Sequence, residues 1–565
     1  MKMIWQNLQN YSQQTTLHGW QYFQSENGWL RKFIWFLVIV FHNALAIYFI
    51  WVNCNEYLEA KTITTINSTT SSLNNVMFPS VYICNLNQVT KSFLKEMQIQ
   101  EHQLNHQHFI ISEFIFGSPE NHEHTGYKQR LLEVQMKITE LYQKYGYQND
   151  TLIFRLSQQK CKEMLLKLKW SDRPLKYFAK VFTESTEYGI CCVINPYLEF
   201  EASIDEDVSW QRIKEEYLMT IPKGYASNGL QSGLMATIDL EIFNHALRWD
   251  STGFKIGLSH PHSKMIMRNS GFNAPPGFLT EVALMPTLTM TNPKVTSRFS
   301  HEDRDCYVEN EFELKYLKPD YGFHYSMSNC LYNSLYQKII EECKCIFHLD
   351  YKFVKSQNPN LERCLGSKQL HCANKLLNKM GNEQEDMKKS LDVNGIIKPC
   401  FQSCNLQEDN FILSQLVYPH TNLFKHHEDL CLIMEKINKI CNDDSKKEIF
   451  ESYYQHENIT CKELSAFHLK QNETCQGVIE GGHVRAHKEY IRLIEFYHNY
   501  AKENIAKVTI FIRDPYCTSY IKNEKIPLID FISNTGGLVG LCLGLSFISA
   551  IELIYHCVNC IFKKD

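Results

Sequence analysis

The stretch that decides the fold is residues 534–553, NTGGLVGLCLGLSFISAIEL. It is apolar enough to cross a membrane, yet it carries Gly536, Gly537, Gly540 and Gly544, and glycine costs roughly 0.8–1 kcal/mol relative to alanine inside a helix. The surrounding uncharged run, 531–551, is 21 residues long and lies between Asp530 and Glu552. On a helix, Ser533, Gly537, Gly540 and Gly544 follow 4-3-4 spacing and leave one face nearly bare of side chains. Small residues let helices approach closely; they equally leave room around an axis where several copies meet. The flanking acids favour the second reading, because a carboxylate in or beside a span is costly and faces a watery cavity. Asp530 then stands at the outer mouth, and Glu552 lies eight residues beyond Gly544 on nearly the same face. Gly544, Leu545 and Ser546 add something packing does not need. A glycine here lets the helix leave its geometry and present carbonyls to a wetted cavity, and rings of carbonyls replace part of a cation's hydration shell. Gly536, about 100° round the helix from Gly537, reads as a packing glycine.

A second apolar run lies near the other end. Residues 33–52, FIWFLVIVFHNALAIYFIWV, are 20 in a row without a formal charge, the length that crosses the hydrocarbon core. A signal peptide fits poorly: the run is too long for an h-region, starts late and lacks a small-x-small cleavage site. Arg31 and Lys32 precede this run and Lys563 and Lys564 follow the other, so the positive-inside tendency puts both termini in the cytosol. The expected division is a cytosolic stretch 1–32, a span 33–52, an extracellular domain 53–526, a second span and pore 527–556, and a cytosolic tail 557–565. Sequons at Asn67, Asn149, Asn458 and Asn472 fall in the extracellular part; Asn10 also begins one, on the side where it stays unmodified.

Of the 21 cysteines, 18 lie between residues 53 and 525, an even number that fits a disulfide framework made in an oxidising compartment. A net charge of −4 with interspersed signs shows no basic stripe for phosphates, which argues against nucleic-acid binding. Past the first span, INSTTSSLNN (66–75) reads as a polar linker and VMFPSVYICN as a strand. Residues 128–145 read as an amphipathic helix; 279–290 and 507–514 alternate as half-buried strands. Helical potential recurs around 429–441 and 462–470, among Cys431, Cys441, Cys461 and Cys475, whose pairing the sequence leaves open and where no CxxC spacing supports a metal. The expected ectodomain is mixed α+β.

Together these stretches resemble the degenerin/epithelial sodium channel family, which includes the acid-sensing ion channels. Its Gly-x-Ser selectivity motif, which lies within the pattern GxxxGLxxGxSxxxxxEL, is similar to Gly544, Leu545 and Ser546, and the last 14 positions of that pattern are similar to Gly540 through Leu553. Its FPxVxICN motif is matched by Phe78, Pro79, Val81, Ile83, Cys84 and Asn85. Its amino-terminal His-Gly motif, which affects gating from a re-entrant loop, is matched by His18 and Gly19. The family's thumb has two further cysteines, partners of each other, where Ser334 and Lys398 stand here. The resemblance implies the pairs Cys84 to Cys191, Cys306 to Cys404, Cys330 to Cys400, Cys343 to Cys372 and Cys345 to Cys364, with Cys192 an alternative to its neighbour. EYGICCVIN and HEDRDCYVENE look more like the insect pickpocket branch. Leu545 is bulky where acid-sensing channels are small, and Asn534 replaces an acid.

The resemblance further implies a membrane protein with two transmembrane helices and a large disulfide-rich ectodomain of palm, thumb and finger type. It implies a homo- or heterotrimer in the lipid bilayer of the cell surface, permeation of sodium, block by amiloride and no cofactor. Ser533 matches the position where a larger side chain holds the pore open. No nucleophile-and-base arrangement or phosphate loop suggests an enzyme. Two rivals share parts of this picture. A two-span scavenger or adhesion receptor would not need the glycine face with its broken helix, and an ATP-gated type of trimeric channel leaves FPSVYICN and His18-Gly19 without explanation. His102, His106, His108, His122 and His124 fit a proton sensor or a solvated polar loop equally well.

Overall fold

The computed structural model describes residues 11–12, 15–24, 28–87, 89–96, 159–171, 173–174, 181–186, 188–195, 228–246, 251–267, 270–317, 323–346, 354, 361, 364, 367–382, 389–391, 397–420, 428–468 and 491–562. The histidines at 102–124, the helix expected over 128–145, and Asn149, Asn472 and Cys475 lie outside them. The chain divides into two compact units: Met1–Thr65 with Thr291–Asp305 and Ile521–Asp565, and Ile66–Met290 with Cys306–Tyr520.

In the first unit the helix Trp29–Glu59 runs for 31 residues, well beyond the 33–52 stretch. It is long and apolar enough to cross a membrane. Only Ala46 and Asn53 are buried along it, while Phe33, Phe36, Phe41, Ile47 and Trp51 are exposed. A helix that is apolar all round and uncovered by protein has lipid as its solvent. Cys54 lies within this helix with a free thiol, which takes it out of the extracellular disulfide set where its sequence position had placed it. The second apolar run is not one helix. Leu528–Leu543 and Phe547–Phe562, of 16 residues each, are separated at 544–546.

The second unit is built on two sheets. The strands of the larger follow the order Thr62–Ser72, Tyr516–Glu524, Phe278–Thr291, Ile505–Ile512, Leu234–Asp239, Leu165–Trp170 and Arg173–Pro174, with Leu406–Val417 also pairing Phe278–Thr291. The expected linker 66–75 is mostly edge strand. Ile66, Thr69 and Thr70 suit a pleated surface, and its polar side chains find partners, as where Ser71 donates to Ser519 at 2.7 Å. Phe278–Thr291 alternates buried and partly exposed positions along its central stretch. Ile505–Ile512 does not: seven of its eight residues are buried, because it is an inner strand covered on both faces. Lys507 is tolerated there by an ion pair to Asp429 and by the Tyr418 ring, 4.6 Å from its ammonium.

The smaller sheet orders Val181–Thr186, Gly189–Ile194, Ser80–Asn85, Phe254–Ser259 and Phe272–Ala274. FPSVYICN supplies its central strand, buried at all six positions of Ser80–Asn85. The cysteine doublet is resolved by strand geometry. Neighbouring residues point to opposite faces, so Cys191 bonds Cys84 and Cys192 bonds Cys161. The helices Met327–Lys338 and Ser367–Asn382 are stapled by Cys330–Cys400, Cys343–Cys372 and Cys345–Cys364, with Cys306–Cys404 beside them. Ser334 is buried on the first of these helices. Cys441–Cys461 joins the helix Glu428–Cys441 to 461–468, and Leu430, Ile433, Met434, Ile437 and Ile440 bury one stripe of the former. Cys517 is buried and free.

Candidate functional site

The break at 544–546 is specified by local chemistry. Gly544 sits at φ +68°, the left-handed region, and its N–H still reaches the Gly540 carbonyl at 2.8 Å, as at a glycine-capped helix end. A Cβ at Gly544 would lie 2.6 Å from Cδ2 of His18, so conformation and space both demand glycine. Ser546 then starts the next helix. Its hydroxyl accepts the Ser549 N–H at 3.2 Å while the Ser549 hydroxyl accepts the Ser546 N–H at 3.1 Å, a reciprocal capping box with serine in the usual place of Glu or Gln. The carbonyls divide unequally. Those of Leu543, Gly544 and Ser546 receive His18 N–H at 2.9 Å, the Ser549 hydroxyl at 3.3 Å and Ala550 N–H at 3.1 Å. Among the described residues no hydrogen bond is made to the carbonyl of Leu545.

The amino-terminal segment completes the site. Gly19, at φ +84°, brings the chain so close to the first helix that a Cβ would lie 3.2 Å from Cγ1 of Ile39, and Tyr22 stacks on Trp35 at 4.3 Å. Thr16 reaches Glu552 through its N–H and hydroxyl, at 3.4 and 3.3 Å, and its hydroxyl lies 2.6 Å from that of Ser549. Thus His18, Gly544 and Glu552, distant in sequence, share one site, to which Thr16 and Ser549 belong although nothing in their sequence context marks them. Asp530, Ser533 and Gly537 are exposed on Leu528–Leu543 and Gly540 is half-buried there. Two readings change. The alignment of Glu552 with the glycine face assumed an unbroken helix, and the break resets its phase. Among the described residues nothing lies within 4 Å of the Cβ position of Gly536, so no described helix of this chain packs against it.

With this geometry in place, similarity to known proteins becomes informative. The family described as amiloride-sensitive sodium channel matches residues 11–556. The chain belongs to that family. It is 22% identical over 572 residues to pickpocket protein 28 of Drosophila melanogaster, covering 97% of this chain and 77% of the relative. The protein is therefore a sodium channel of the degenerin/epithelial type and not an enzyme, with the family's fold of two spans and a large extracellular domain. Members of the family assemble as multimers. The receptor and ATP-gated alternatives fall with this assignment.

The segment Thr291–Asp305 belongs to the same compact unit as both apolar helices. From it, the Arg298 guanidinium lies 4.2 Å over the Tyr57 ring, donates to the Ile526 carbonyl at 3.2 Å and pairs with Glu524 at 3.4 Å. Tyr57 stacks on Phe531 at 4.3 Å, and one turn before it Asn53 donates to Thr535 at 2.6 Å. Arg298, Tyr57 and Asn53 carry no sequence signal, because each matters only through a partner far along the chain. In the other unit, the Glu241 carboxylate is buried against Lys436 at 2.5 Å and Lys446 at 2.9 Å, and Lys446 also meets Glu163 at 2.5 Å. Burial opposes the Glu241 charge, but the two ammonium groups outweigh it and hold the carboxyl below its usual range. Burial instead raises neighbouring Asp239, which accepts the Tyr500 hydroxyl at 3.0 Å. This network is structural, a set of buried charges satisfied by one another.

Proposed function

We propose that the chain is a subunit of a homo- or heterotrimeric, amiloride-sensitive, sodium-permeable channel opened through its extracellular domain, with Gly544, Leu545 and Ser546 as the selectivity filter. The observation that carries this reading is the capped helix break at these residues, with a Leu545 carbonyl to which no donor among the described residues bonds. A backbone oxygen in that state needs water or a cation. The bulk of Leu545 is then no obstacle to its role, since it contributes through its main chain. Ser533, Gly537 and Gly540 line the pathway above the filter with Asp530 at the mouth, and Glu552 with His18 and Gly19 act below it. The grip of Arg298 on Tyr57 supports gating from outside the membrane. Both termini lie in the cytosol of a cell-surface protein, and Asn67, Asn149, Asn458 and Asn472 carry glycans; Asn67 and Asn458 are exposed. No cofactor takes part beyond the permeant sodium ion.

Expression in oocytes tests the reading. Ser533→Val, or Ser533→Cys after thiol modification, is expected to pass a constitutive, amiloride-sensitive cation current. Silence despite surface labelling, alone and with related subunits, counts against it. In the open background, Ser546 substitutions are expected to change the sodium-to-potassium permeability ratio, and an unmoved reversal potential removes these three residues from the filter.

A further inference from the structure

We propose that Ser549 is a positioning residue of the filter: its hydroxyl fixes the backbone of the break and ties it to the amino-terminal segment. This rests on the reading of Gly544 to Ser546 as the filter and adds a residue that no motif singles out. Ser549 is 1% exposed, one turn into a helix whose neighbouring Phe547 and Ile548 are open at 89% and 66%. A lone buried serine on such a helix is there for its hydroxyl, because the apolar face needs none. One hydroxyl has one proton and two acceptor sites, and four polar groups lie within reach of this one. The Ser549 hydroxyl accepts the Ser546 N–H at 3.1 Å and lies 2.6 Å from the Thr16 hydroxyl and 3.1 Å from that of Ser546; when Thr16 gives its proton to Ser549 rather than to Glu552, the Ser549 proton goes to the Gly544 carbonyl at 3.3 Å.

The consequence is geometric. The peptide units on either side of Leu545 are both held from Ser549, one through the Gly544 carbonyl and the other through the Ser546 N–H. The Leu545 carbonyl shares its planar peptide unit with the Ser546 N–H, so the bond from that N–H to Ser549 sets its direction. Remove the hydroxyl and the Gly544 carbonyl loses its donor and the Ser546 N–H its acceptor. The Gly544 carbonyl is then free to turn toward the cavity and compete for the ion, and the peptide unit of the Ser546 N–H loses its anchor. Thr16 transmits the same constraint to His18, whose N–H holds the Leu543 carbonyl at 2.9 Å. Selectivity depends on the number and placement of the oxygens that replace hydration, so Ser549 acts on permeability ratio without touching the ion.

The test uses the full-length channel held open by modified Ser533→Cys, with reversal potentials in sodium and potassium. Ser549→Thr keeps the hydroxyl, whereas Ser549→Val has nearly the same shape without it. The valine variant is expected to lower the sodium-to-potassium permeability ratio by about fivefold, the equivalent of one ordinary hydrogen bond, and the threonine variant to stay within about twofold of wild type. Combined with Ser546→Ala, Ser549→Val is expected to add less than its separate effect, since the two share contacts. A valine variant with wild-type ratio, in a channel whose ratio Ser546→Ala does shift, overturns the proposal. If neither shifts it, the filter reading itself fails. Should Ser549→Val not reach the surface, Thr16→Val decides in its place: a lowered ratio supports the tie, and an unchanged one overturns it.

Discussion

The two compact units hold their shapes by different means. The water-facing unit is cross-linked by Cys84–Cys191, Cys161–Cys192, Cys306–Cys404, Cys330–Cys400, Cys343–Cys372, Cys345–Cys364 and Cys441–Cys461. It also buries apolar clusters such as that of Val81, Ile83, Ile238, Ile256, Val282 and Val508. The unit with the two apolar helices has no disulfide among the described residues and turns its large side chains outward. Its specific geometry comes from a few hydrogen bonds among Thr16, His18, Gly544, Ser546, Ser549 and Glu552. In water, apolar burial drives association, and cross-links of typically 2–4 kcal/mol each add to it. In lipid that drive between helices is absent, so close packing and hydrogen bonds specify the arrangement. Damage should accordingly unfold the water-facing unit and silence the unit with the two apolar helices.

The largest effect is expected at Glu241. Glu241→Gln strips the carboxylate from two buried lysines, and removing one partner of such a pair costs about 3–5 kcal/mol. Surface expression should fall steeply, and thermal unfolding of the solubilised protein should shift down by several degrees. Adding Lys436→Met and Lys446→Met should recover part of the loss; no recovery means the lysines do not depend on Glu241. Next is Gly544→Ala, which forces a Cβ into the left-handed region and onto the His18 ring, a local strain of about 1–3 kcal/mol. The current should disappear while surface labelling stays near wild type. Equal loss of both would break the contrast between the units.

The smallest effect is a local one with pH. His260, His262 and His324 gather in the water-facing unit, with ring centroids 5.5 Å apart for the first pair and 4.1 Å for the second. Burial first, then the other two imidazoles, push His260 from the usual 6.5 down to about 4. The folded state keeps it neutral while the unfolded state takes up its proton. Stability is therefore lost as pH falls from about 6.5 to about 4, on the order of 1 kcal/mol per unit at most. Hydrogen exchange over 260–267, corrected for intrinsic rates, should show protection declining through that window, and His260→Gln should flatten the decline. A slope unchanged in the variant assigns it to other groups.

Much of this was legible from residue order. The apolar runs, FPSVYICN, the strand at 279–290 and the helix near 429–441 each rest on a local pattern whose period or length has one economical reading. So does the break at Gly544, since glycine followed by Leu-Ser offers both a left-handed cap and an N-cap. Where the reading changed, a partner distant in sequence decided. Polar residues 66–75 became an edge strand because Tyr516–Glu524 offers a pairing edge, and Ile505–Ile512 lost its exposed face because the helix bearing Asp429 covers Lys507. The Cys191-Cys192 doublet stayed ambiguous in the sequence because both partners are far away, whereas pleating sends the two thiols to opposite faces.

By itself, then, the sequence determined what each segment can be: which runs belong in lipid, where a helix must stop, and which cysteines are available. Those are properties of side-chain transfer and backbone dihedrals, and they need no neighbour. Only the tertiary structure decided what each polar group is for. It put Thr16 and Ser549 behind the break, set Arg298 over Tyr57 and left the Leu545 carbonyl without a donor among the described residues, because a hydrogen bond exists only where the fold brings two groups within about 3 Å.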